Sequence, residues 1–138
     1  MPAYDLFHNA VKHALQKEGW MITHDPFFIP FGGVELYVDL GAERMLAAER
    51  GNEQIAVEIK SFLSQSPVSD FHNALGQFLN YRLVLEENEP SRLLYLAIPF
   101  DIHKTFFSLP FTQLAVQRNQ LKLIVFKPDQ EEIATWIN

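Results

Sequence analysis

The sequence predicts an α/β domain whose mixed central β-sheet is flanked by helices, and three observations predict it. Short stretches that alternate with period two, or run continuously aliphatic, recur along the chain between segments with helical spacing. Their order reads α-β-β-β-α-β-α-β, so a hairpin-like start is followed by βαβ crossovers that favour parallel pairing. Third, 138 residues with 48% apolar and 20% charged side chains suit one folded domain, spanning 1–138, with a core of its own.

Each element has a local reason. Residues 4–18 place Leu6/Phe7, Ala10/Val11 and Ala14/Leu15 at helical spacing, with Gly19 as the stop. Residues 20–24 read as a short strand, and Asp25-Pro26 and Pro30 to Gly33 as turns. In 34–40 (VELYVDL) Leu36, Val38 and Leu40 share one face and Glu35, Tyr37 and Asp39 the other, which predicts one continuous strand. Residues 42–53, bounded by Gly51-Asn52, read as a short helical turn or an extended loop. The run QIAVEIKSF is a strand with Ile55, Val57 and Ile59 on one side and Ala56, Glu58 and Lys60 on the other. Ser64 to Pro67 breaks the chain, and Ser69 or Asp70 caps a helix running to about Glu87. Residues 93–99 form a buried-type strand, and 101–118 a helix that Pro110 kinks or divides. LKLIVF (121–126) is a further strand, and 132–137 an edge strand.

Charge and composition exclude several function classes. The net charge is −6, and no basic run or tail appears: residues 1–69 hold five basic and nine acidic groups, residues 70–138 six and eight. A general polyanion binder held by bulk electrostatics is therefore not expected. The absence of cysteine excludes disulfides and thiolate metal sites. No run of about 18 apolar residues predicts a membrane span, and no charged-then-apolar leader opens the chain, so a cytoplasmic location is expected. His13, His24, His72 and His103 lack ligand spacing, and Gly32-Gly33 reads as a turn rather than a phosphate loop.

The chemistry concentrates in two charges inside an apolar strand. Glu58 and Lys60 leave the same face of the sheet. An isolated E-x-K is commonly a structural pair on a solvated face, but Asp39 ends the preceding strand where an antiparallel partner brings it beside Glu58. Two carboxylates facing one point repel unless a cation lies between them, and such oxygen-rich sites suit Mg²⁺ or Mn²⁺. An adjacent ammonium then stabilises charge developing on a phosphoryl group. On the next helix Gln77 and Tyr81 share one face, extended a turn earlier by Asn73.

Asp39, Glu58-Ile59-Lys60 and Gln77-x-x-x-Tyr81 together resemble the PD-(D/E)XK nuclease superfamily, whose fold is restriction-endonuclease-like. The resemblance implies Asp39 and Glu58 as metal ligands, the Ile59 backbone carbonyl as a third, Lys60 as the catalytic ammonium, and Gln77 and Tyr81 as supporting groups. Two positions depart from the pattern. Val38 rather than proline precedes Asp39, and His8 stands on helix one where some relatives carry a glutamate. An imidazole there can bind a metal or a ligand water but supplies no negative charge. A longer resemblance, carried by PAYDLFHNAVKHALQKEGWMITHDP, LYVDLGAER, IAVEIKSF, NALGQFLNYR and LKLIVF, is to the XisH family of fdxN-element excision controlling factors. It implies a part in excising a DNA element by a site-specific recombinase, alongside DNA and a companion factor, XisI. Two expectations follow: a Mg²⁺-dependent endonuclease, or a catalytically silent accessory factor that binds DNA or protein. Phe100, Phe106, Phe107 and Phe111 lie close together, which predicts core packing ahead of a surface covered by XisI or a second copy.

Overall fold

The computed structural model of the chain describes residues 6–45 and 52–138. Its elements are α1 (His8–Lys17), β1 (Met21–His24), β2 (Phe27–Phe31), β3 (Val34–Val38), β4 (Leu40–Met45), β5 (Asn52–Ile59), α2 (Pro67–Asn88), β6 (Leu93–Pro99), α3 (Phe100–Lys104), a 3-10 turn (Phe106–Ser108), α4 (Pro110–Arg118), β7 (Leu123–Lys127) and β8 (Glu132–Ile137).

Six strands form the main sheet in the order β1-β4-β5-β6-β7-β8, and β2 and β3 form a separate two-stranded sheet. β1, β4 and β5 pair antiparallel, β5-β6 and β6-β7 pair parallel, and β8 returns antiparallel on the far edge. The expected mixed sheet flanked by helices is present. Its parallel pairs come from the two crossovers, through α2 and through α3–α4, because parallel neighbours need a connection long enough to travel back.

Side-chain alternation divides the core in two. Ile55, Val57 and Ile59 join Val11 and Leu15 of α1, Trp20 and Leu40 on one face. Ala56, Leu94, Leu96 and Ile98 join Phe71, Ala74, Phe78 and Tyr81 of α2 on the other, together with Phe27, Ile29 and Val38 of the hairpin. Leu96 and Ile98 are wholly buried, and burying each such side chain contributes roughly 1.5–3 kcal/mol.

The structure corrects several expectations. Residues 34–40 are not one strand: the chain bends at Asp39, and Val38 and Leu40 enter different cores. Between the segments read as turns, Asp25-Pro26 and Pro30 to Gly33, the chain forms β2, which takes in Pro30 and Phe31 and pairs with β3 from Phe27↔Val38 to Phe31↔Val34, while Gly32-Gly33 is the turn expected there. Both glycines have positive φ (58° and 92°), as a two-residue hairpin turn requires. The 42–53 segment contributes to a β4–β5 hairpin rather than a helix, with Leu40↔Val57 through Met45↔Asn52 paired; its residues 46–51 lie outside those described, as do residues 4–5 of the first helix. Helix α2 starts earlier than expected, because the Ser66 hydroxyl accepts from the Ser69 N–H and Pro67 occupies the first turn. Of the two outcomes expected at Pro110, the structure shows the second: Pro110 opens a new helix, and 101–118 further divides into α3, the 3-10 turn and α4. Of the four phenylalanines expected in the core, Phe107 is buried and Phe111 exposed.

Candidate functional site

The site is assembled where the chain passes from one sheet to the other. The bend at Asp39 separates β3 from β4, and the Leu40↔Val57 register brings Asp39 level with Glu58 on the neighbouring strand. Two hydrogen bonds lock the pair. The Asp39 N–H donates to Glu58 Oε1 at 3.3 Å, and the Ile59 N–H donates to Asp39 Oδ2 at 2.7 Å. Each acid is thus held by a backbone amide next to the other acid. The carboxyl groups face one region; had they lain on opposite sides of the sheet, no common ligand could reach both.

Glu58 is 5% exposed. Burial, and then the negative charge of Asp39, hold its pKa well above the usual 4.5, while Lys60 pulls the other way. Lys60 Nζ lies 3.7 Å from Glu58 Oε2, which is an ion pair without close hydrogen-bonding geometry. The Lys60 N–H continues the parallel ladder by donating to the Ala97 carbonyl, so the strand fixes where its side chain begins.

Helix α2, packed on the sheet face that includes Ala56, carries Gln77 and Tyr81. Tyr81 is buried, and its pKa is raised by that burial and then by the charges of Glu58 and Asp39. Gln77 lies one turn earlier on the same face, and its buried Oε1 has no hydrogen-bond partner among the described residues. A cleft of about 250 Å³ is lined by Lys60, Ser61, Ser64, Asp70 and Asn73 among others. Asn73 belongs to the polar stripe visible in the sequence. Ser61 and Ser64 carried no such signal, because they join the cleft through the loop after β5, and Asp70 joins it from the first turn of α2.

His8 is placed differently. It is buried on α1, and its Nε2 lies 2.6 Å from Asp25 Oδ1, where Lys12 Nζ also approaches Asp25 Oδ2 at 2.8 Å. Despite the desolvation that opposes it, hydrogen bonds from Lys12 and His8 hold the Asp25 carboxyl below its usual range. The histidine therefore ties α1 to the loop after β1.

The donor set fits a hard divalent cation. Among the described residues no group of three or more His, Cys, Asp or Glu converges, so the side-chain donors are the two carboxylates of Asp39 and Glu58. Mg²⁺ is commonly held by one or two carboxylates, with water and substrate phosphates filling the remaining positions. Burial first, and then the Asp39 charge, raise the Glu58 pKa, and a cation at this point would offset the second of these. No helix among the described residues is long and apolar enough to cross a membrane.

Comparisons with known proteins identify the family. The XisH protein family matches residues 1–134. A crystal structure of an XisH family protein from Nostoc punctiforme PCC 73102 is similar with 50% identity and a TM-score of 0.89, covering 97% of this chain and 100% of that one. A second, of an fdxN element excision controlling factor protein from Anabaena variabilis, shows 51% identity and a TM-score of 0.89, covering 98% of this chain and 100% of its own. No curated protein matches the chain. With the match running over almost every residue, this chain belongs to the XisH family.

Proposed function

We propose that this chain is an excision controlling factor in the site-specific recombination of a DNA element. We further propose that it acts through a divalent-metal-dependent endonuclease site of the PD-(D/E)XK type on a restriction-endonuclease-like fold. Family membership and the name of the Anabaena variabilis relative support the first part. One observation carries the second: Asp39 and Glu58 are locked side by side, with the Lys60 ammonium 3.7 Å from Glu58.

In this reading Asp39, Glu58 and the Ile59 carbonyl hold Mg²⁺ or Mn²⁺. The ion, when bound, polarises a phosphoryl oxygen as a Lewis acid. Lys60 supplies a fixed positive charge where negative charge builds on the phosphate. Tyr81 stays protonated, because burial and both acids oppose its ionisation, so it serves as a hydrogen-bond donor rather than a base. Gln77 contributes a buried amide oxygen with no hydrogen-bond partner among the described residues, and His8 holds α1 through Asp25.

The test is nicking of plasmid and branched DNA with Mg²⁺ or Mn²⁺, comparing wild type with Glu58→Ala. Metal-dependent nicking lost in the variant is expected; no nicking by either protein, or equal nicking by both, overturns the enzymatic part. The net charge of −6 favours a second reading, in which the scaffold binds DNA or protein without cutting and works with an XisI-type companion and a recombinase. Excision scored with Asp39, Glu58 and Lys60 variants, beside a pull-down with the companion, separates the two: excision that survives all three variants while the complex forms supports the accessory role.

A further inference from the structure

A cavity opens beside Ser61, three residues beyond Glu58, and neither Asp39 nor Glu58 lines it. It has a volume of about 600 Å³ and is lined by Ser61, Phe62, Phe7, Pro99, Phe100 and Lys127 among others. It therefore sits at the carboxyl ends of β5, β6 and β7, where open sheets with parallel strands place their ligands. Its size falls within the roughly 300–1,000 Å³ of small-molecule sites.

Three features define what fits. The walls are aromatic and held rigidly: Phe7 packs edge-on against Phe126 at 5.8 Å, and Phe62 meets Phe107 edge-on at 5.4 Å. Phe62 also has a φ of 55°, a backbone state that a bulky residue adopts only where its surroundings hold it there. Phe62 packs within the α2-side core and also borders the cavity, between Ser61 and Leu63. Phe100 carries two cations near its ring, Lys127 Nζ at 5.2 Å and Lys104 Nζ at 5.3 Å from the centroid. Finally, the lining also holds Asp101 and Asp129 against the single Lys127, so it is not a phosphate pocket. A flat, neutral ring with exocyclic amino groups satisfies the aromatic walls and the carboxylates together, and the lysines then face the phosphates that flank it.

We propose that this cavity receives an unpaired nucleobase, so that the substrate is single-stranded or locally unpaired DNA rather than intact duplex. The proposal rests on the nucleic-acid reading of the Asp39–Glu58 site and adds the substrate class. Ser61 is three residues beyond Glu58, a separation of about 10 Å along an extended chain, which puts the backbone beside a seated base next to Lys60. The charge balance points the same way. A chain of net charge −6 with no basic stripe gains little from tracking a duplex backbone, whereas stacking on aromatic side chains supplies affinity without bulk positive charge.

The test measures binding of the full chain to short oligonucleotides in EDTA, so that cleavage plays no part. The probes carry 2-aminopurine in a single strand, opposite a one-base gap, or within a fully paired duplex. Expected results are binding of the unpaired probes at least about ten-fold tighter than the duplex, quenching of 2-aminopurine on binding, and a salt slope of about −1.4, as for two phosphate contacts on a single strand. Phe100→Ala is expected to weaken binding about ten-fold, and exposed Lys104→Glu, which is not part of the packed interior, weakens it without disturbing the fold. Equal affinity for duplex and single strand, unquenched 2-aminopurine, or binding indifferent to Lys104→Glu overturns the proposal. Base quenching without any metal-dependent nicking keeps the pocket and removes the nuclease reading. Nicking lost in Glu58→Ala but untouched by Lys104→Glu, with no quenching, does the reverse.

Discussion

Replacing Glu58 by glutamine asks whether a buried carboxylate that faces another is a cost which only a cation removes. Lys60 Nζ, 3.7 Å from Glu58 Oε2, attracts the ionised form by about 4.5 kcal/mol at an effective dielectric constant of about 20. The Asp39 charge opposes this and raises the Glu58 pKa, so the two Coulomb contributions act against each other. Added to these is desolvation of a side chain in a residue only 5% exposed, several kcal/mol per buried ion and partly offset by the Asp39 N–H bond. The ionised glutamate therefore destabilises the metal-free fold by about 1–3 kcal/mol. Glutamine keeps an acceptor for the Asp39 N–H and removes the charge, so metal-free Glu58→Gln melts about 4–12 °C higher than wild type at neutral pH. The pH dependence has a definite sign. Because the folded pKa lies above the usual 4.5, the folded state keeps a proton that the unfolded chain releases, and stability falls as pH rises from about 4.5 through the raised value. Wild type and variant converge below that window. Mg²⁺ or Mn²⁺ at about 100 times its Kd restores about 2.7 kcal/mol to wild type and little to the variant. Calorimetry across pH with and without metal reads all of this. If Glu58→Gln is as destabilising at neutral pH as in acid, the Glu58–Lys60 pair is a net stabilising bridge and the argument fails.

Other outcomes follow from the same geometry. Asp39→Ala strands the Ile59 N–H, which now donates to Oδ2 at 2.7 Å, and should cost about 1–3 kcal/mol in urea unfolding; Asp39→Asn, which keeps an acceptor, should lose less. Tyr81, raised by burial and by both acids, should ionise at higher pH than free tyrosine in ultraviolet difference titration, and Glu58→Gln should bring that transition down. Arg92 is buried away from the site, donating to the Ile55 carbonyl at 2.9 Å and to Glu89 at 3.0 Å and lying 4.7 Å over Phe27. Arg92→Ala should cost about 3–5 kcal/mol in denaturant unfolding, and the metal response should survive. A metal response lost in Arg92→Ala but kept in Asp39→Ala would place the cation elsewhere.

The sequence by itself determined the strand that carries Glu58 and Lys60 on one face, the helix that carries Gln77 and Tyr81 on one face, and the order of crossovers. These are legible because each depends on the period of a single element. It also marked Asp39 as the third charged partner, but for a partly mistaken reason. Alternation in 34–40 suggested a continuous strand, whereas the chain bends there and sends Val38 and Leu40 into separate cores. Only tertiary structure decided that β2 and β3 leave the main sheet, since Pro26, Pro30 and the glycines read as turn residues until Phe27 and Ile29 find a core to enter. The cavity after β5 was equally hidden: it is built by the ends of three strands and by a left-handed Phe62, and no local pattern records which strand ends become neighbours. Periodicity names the face on which a side chain leaves its own element, and packing between elements decides what it meets there.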